Sequence, residues 1–132
     1  MFLNQLNQNE KEAFMSLSVH VANANGILAN EEKEMIQEYC REMGIDSFDE
    51  KDIASMDNVL AVFEQSDLRI KKIVLFEILG LAYADGEYED SEDNFVMRFA
   101  AELGLNKNTV KEQKDLLVEY LEILKKIVHS IS

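Results

Sequence analysis

The chain has 132 residues, 47% of them hydrophobic and 30% charged, enough apolar material for one domain with its own core and too much for a disordered acidic tail. Asp and Glu number 26 against 13 Lys and Arg, giving a formal net charge of −13, so the field around the protein repels polyanions and no nucleic-acid partner is expected. The same sign disfavours an anionic membrane surface, since the only basic groupings are Arg69, Lys71, Lys72 and the pair Lys125, Lys126. Metal cations and basic protein surfaces are the company such a charge favours.

Cys40 is the only cysteine, which rules out an intrachain disulfide or a thiolate metal cage and suits a reducing compartment. The N-terminal residues MFLNQLNQNE carry neither a basic n-region nor an apolar h-region, and no later run reaches transmembrane length. The expectation is a single cytoplasmic domain over residues 1–132 with no membrane insertion.

Taken in chain order, Phe14, Leu17, Val21 and Ala24 lie at helical spacing within residues 9–25, and Gly26 ends that pattern. Asn30 suits an N-cap for a second helix carrying Met35, Ile36, Tyr39, Cys40 and Met43, stopped by Gly44. Residues 46–65 read as a connector with one short helix at Val59, Leu60, Val62 and Phe63. From Ser66 to Ala84 the apolar residues cover almost the whole helical circumference. That segment is expected to be the central and most buried helix, with Leu75, Phe76, Ile78 and Leu79 all inside. A helix over about 91–103 ends at Gly104, and Asn106 caps a long last helix with Leu117, Tyr120, Leu121, Leu124, Ile127, Val128 and Ile131 down one side, widened by Leu116 and Ile123. With no proline in the chain, the fold class is all-α, a compact bundle of about five to seven helices.

The chain also matches itself. Gly26 stands sixty positions before Gly86, and Gly44 sixty before Gly104, with everything between in register. Ala22 pairs with Ala82, Ala24 with Ala84, Asn25 with Asp85, Glu32 with Glu92, and Tyr39 with Phe99. Gapless repetition of this kind predicts two copies of one helix-loop-helix unit, residues 17–45 and 77–105, packed about a pseudo-twofold axis around the central helix.

The motif Ala82-x-Ala84-Asp85-Gly86 followed by Glu92, echoed as Ala22-x-Ala24-Asn25-Gly26 followed by Glu32, resembles the signature of the tellurite-resistance TerB-like family over residues 10–130. The resemblance implies an all-helical domain, a link to bacterial stress or tellurite-resistance systems, and acidic residues that bind metal. It implies no known reaction. Asn25 departs from the pattern by replacing an aspartate, which weakens a cation site in the first loop.

The densest carboxylate cluster is Asp85, Glu87, Glu89, Asp90, Glu92 and Asp93, groups of the kind that Ca²⁺ and Mg²⁺ require. Counted as an EF-hand from Asp85, the turn glycine would fall on Asp90 and the bidentate glutamate on Val96, so that motif is excluded. Candidate ligands are Asp85, Glu89, Asp90, Glu92 and Asp93, with Glu32 as a weaker counterpart in the first repeat. Helix capping and dipole compensation account for the same residues without any ion, and both readings stay open. His20 and His129 have no zinc-type spacing, Cys40 aligns with Ala100 as a small residue of the interior, and no nucleophile elbow or phosphate loop is present. No cofactor other than Ca²⁺ or Mg²⁺ is implied. The sequence therefore points to a non-enzymatic TerB-like module that binds a divalent cation or a basic partner through its acidic loops. The alternative is an interaction or oligomerisation module, such as a homodimer, using the exposed part of the last helix; a metal-dependent enzyme ranks below both.

Overall fold

The computed structural model describes residues 1–25, 30–46, 48–84 and 90–132, and among these there are six α-helices and no strand. They are α1 (Gln8–Ala22), α2 (Asn30–Met43), α3 (Met56–Glu64), α4 (Leu68–Ala82), α5 (Asp90–Glu102) and α6 (Lys107–Ser130), with single 3₁₀ turns at Leu3–Gln5, Asn23–Asn25 and Glu50–Asp52. No helix among the described residues is long and apolar enough to cross a membrane.

The helix starts follow from short polar side chains that accept an orphan backbone N–H. Asn7 accepts from Glu10 N at 2.9 Å while the Glu10 carboxylate accepts from Asn7 N at 2.8 Å, a reciprocal capping box at the head of α1. Ser55, Asp67 and Asn106 accept the backbone N–H of Asn58, Ile70 and Thr109 at the heads of α3, α4 and α6. The other Glu10 oxygen accepts the Ser66 hydroxyl, so one buried carboxylate ties the start of α1 to the segment entering α4. Asn30 proves to be the first residue of α2 rather than its cap.

Two helix ends depend on glycine. At Gly44 and Gly104 the backbone turns to φ +72° and +76°, letting Ile45 N reach Cys40 O at 2.8 Å and Leu105 N reach Ala100 O at 3.0 Å. Gly80 differs: it lies inside α4, and a Cβ there would meet nothing within 4 Å. Gly44→Ala and Gly104→Ala should each lose roughly 1–2 kcal/mol, the cost of a left-handed L-residue. Gly80→Ala should gain roughly 0.5–1 kcal/mol from helix propensity. Urea unfolding followed by circular dichroism reads all three, and a loss at Gly80 would show that its small size matters to packing.

The core brings α1 and α4 together as joint centre. α1 packs on α2, α3, α4 and α5, while α4 packs on α1, α2, α5 and α6. Ten residues of α1 and nine of α4 are buried, so the two helices share the interior. Leu75, Ile78 and Leu79 are buried as expected, but Phe76 is only half-buried, because it faces the outer edge where α6 crosses. Edge-to-face ring pairs join the layers, Phe14 to Tyr39 at 5.1 Å and Phe63 to Phe99 at 6.3 Å.

Several helix bounds are evenly spaced along the chain. α1 and α4 are each 15 residues long and start at Gln8 and Leu68, sixty positions apart; α2 and α5 start at Asn30 and Asp90, again sixty apart.

Candidate functional site

Two surfaces qualify, the acidic segment before α5 and the outer face of α6. Of the acidic candidates, Asp85 and Glu89 lie outside the described residues. Asp90, Glu92 and Asp93 form the first turn of α5, and Glu32 holds the matching place in α2, where carboxylates favour the positive end of the helix dipole. Their surroundings differ sharply. Asp90 is exposed, and Asp93 is half-buried in an ion pair with Lys114 of α6. Glu32 and Glu92 are both 1% exposed, and neither is free of partners. A carboxylate taken that far from water must be held by polar or charged neighbours, so both are built into the interior.

The remaining polar candidates have structural posts. The His20 Nε2–H donates to the Ala54 carbonyl at 2.8 Å, fastening α1 to the segment before α3, whereas His129 is exposed near the end of α6. Cys40 is half-buried with Sγ 4.0 Å from Met15 Sδ, and burial pushes its thiol up, away from the thiolate form a nucleophile needs. Tyr39 donates to the Glu77 backbone carbonyl at 3.1 Å, and burial, with Glu77 and Glu42 nearby, pushes its phenol well above the ordinary value. None of these forms a nucleophile–base pair.

The outer face of α6 is different in kind. The helix has 24 residues, a length of about 36 Å. Val110 and Leu117 are buried against the body and Leu121 is half-buried, but every residue from Glu122 to Ser132 is exposed. Leu116, Val118, Tyr120, Ile123, Leu124, Ile127, Val128 and Ile131 are 40% to 80% exposed. They are eight of the eleven large apolar side chains that the described residues leave exposed, so the surface is a patch and not a scatter. At its inner end Leu116 borders an open groove of about 630 Å³ with Phe2, Leu68, Ile73 and Phe76. The apolar stripe of α6 was visible as a period in the sequence; Phe2 and Leu68, at the flank of that groove, carried no such signal.

Comparison with protein-family models, with curated proteins and with solved structures finds no match to this chain.

Proposed function

We propose that this protein is a non-enzymatic, TerB-like interaction module whose working surface is the outer face of α6. The observation that carries this reading is the concentration of exposed apolar side chains on one helix that projects beyond its own core. A helical segment of that length gains little stability from propensity alone and needs a packed face. An apolar face left open on a charged domain is the usual mark of a protein contact. The TerB-like resemblance of the sequence motif is consistent with a contact made in a bacterial stress assembly. The equal spacing of the helix starts and glycine ends supports a duplicated helix-loop-helix unit as the scaffold.

Replacing Ile123 and Ile127 together by Asp tests the reading. On dilute protein the pair should cost under about 1 kcal/mol in urea unfolding, since both side chains are exposed. Binding of an apolar dye such as ANS should fall with it. A loss of several kcal/mol would mean that the stripe belongs to the core, and the proposal would fail. A second reading, divalent-cation binding at the start of α5, draws on the burial of Glu32 and Glu92 at matching helix positions.

A further inference from the structure

Resting on the reading of α6 as the contact face, we infer that its occupant is α6 of a second copy, running antiparallel. The exposed residues Leu116, Tyr120, Ile123 and Ile127 follow one another at intervals of four, three and four, the spacing of a coiled-coil seam. This seam is separate from the line through Val110 and Leu117 that meets the body. Ser130 continues it by one position at the outer end with a polar group, while at the inner end the Gln113 amide turns to the body and donates to the Lys72 carbonyl at 3.0 Å.

Charge decides both the occupant and its direction. Glu119 and Lys126 are exposed, seven residues apart, and therefore on the same edge of the seam. In a parallel pair that edge would face the opposite edge of the partner helix, which carries Leu117, Leu124 and Ile131 and offers no countercharge. In an antiparallel pair the edge meets its own copy, and a twofold axis midway between the two residues sets each Glu119 beside Lys126 of the second copy. The same register packs Leu116 against Ile127 and Tyr120 against Ile123. Four apolar layers and two ion pairs thus come from one registration, with no gap and no like charges opposed. The contact is isologous and closes on itself, as a twofold dimer must.

The rest of the surface agrees. Between Ile123 and Ser132 there is no acidic side chain, while Lys125 and Lys126 make this a basic stretch in a sequence whose net charge is −13. Antiparallel pairing carries that stretch toward the acidic body of the other copy, which offsets part of the repulsion between the two bodies. The carbonyl end of the incoming helix also approaches the groove that holds Arg69 and Lys72, cations suited to a helix C-terminus.

Sedimentation equilibrium of the full 132-residue chain over a range of concentrations should show a monomer–dimer equilibrium. Glu119→Lys and Lys126→Glu should each weaken the dimer roughly tenfold, because each sets two like-charged pairs side by side. The double variant should recover to within roughly threefold of the parent. Circular dichroism confirms that each variant is folded. Dimerisation without rescue in the double variant would overturn the antiparallel register. A monomer at every concentration would overturn the second copy as occupant, yet leave the contact-face reading standing if the Ile123 and Ile127 test has passed.

Discussion

Replacing Phe14 by alanine should cost about 3–5 kcal/mol, a large part of the stability of a domain this size. Phe14 has no exposed surface, sits on α1 where that helix meets α2 and α4, and packs edge-to-face on Tyr39. Truncation removes the buried ring and its contact with Tyr39 and leaves a cavity in the core. Phe76→Ala should lose well under half as much, since its ring is already partly in water. Urea unfolding of the two variants under one set of conditions makes the comparison, and equal losses would show that the half-buried position of Phe76 is not the one adopted in solution.

That contrast shows where the sequence was legible and where it was not. Helix ends could be placed because they rest on local chemistry: a positive φ at Gly44 and Gly104, and the carboxamide of Asn106 accepting from Thr109 N. The all-helical class followed from periodicity and the lack of proline. Depth was harder to read. Leu75 and Phe76 are neighbours on one apolar helix, yet only the packing of α1, α5 and α6 around α4 determines which of them is covered. The serine- and histidine-bearing helix α1 showed only the spacing of an amphipathic element, but Ser16 accepts from Ala54 N at 2.9 Å and Ser18 donates to Met15 O at 2.7 Å. Such satisfied hydroxyls can be buried, and α1 shares the centre of the core because of them.

The last helix illustrates the same limit from the other side. Leu117 and Leu124 occupy the same line of α6 and are indistinguishable by period, but Leu117 is buried and Leu124 is exposed. A hydrophobic stripe states that a face seeks cover and is silent on whether the same chain provides it. The acidic cluster posed the converse problem. Net charge suggested a solvated, cation-seeking surface, whereas Glu92 of the cluster and its counterpart Glu32 in α2 turned inward; the clue available in the sequence was that Glu32 and Glu92 recur at one register while the carboxylates around them do not.

Glu32→Ala and Glu92→Ala should each lose about 1–3 kcal/mol, the cost of removing a buried polar group from the neighbours that hold it. Each is the third residue of its helix, each is 1% exposed, and each has partners. A similar loss at the two positions is expected if the two halves are copies of one unit, whereas Asp90→Ala, exposed in the same turn as Glu92, should scarcely move the urea midpoint. The conservative pair Glu32→Gln and Glu92→Gln separates charge from shape, since the amide keeps the volume and one acceptor oxygen. Millimolar Ca²⁺ or Mg²⁺ then distinguishes the two accounts of these carboxylates. If they help to hold an ion, the cation raises the melting temperature of the parent protein and Glu92→Gln abolishes the rise, because binding to the native state alone stabilises it by mass action. If the melting temperature of the parent does not move while both alanine variants are still destabilised, the carboxylates serve to anchor the starts of α2 and α5, and the function rests on α6.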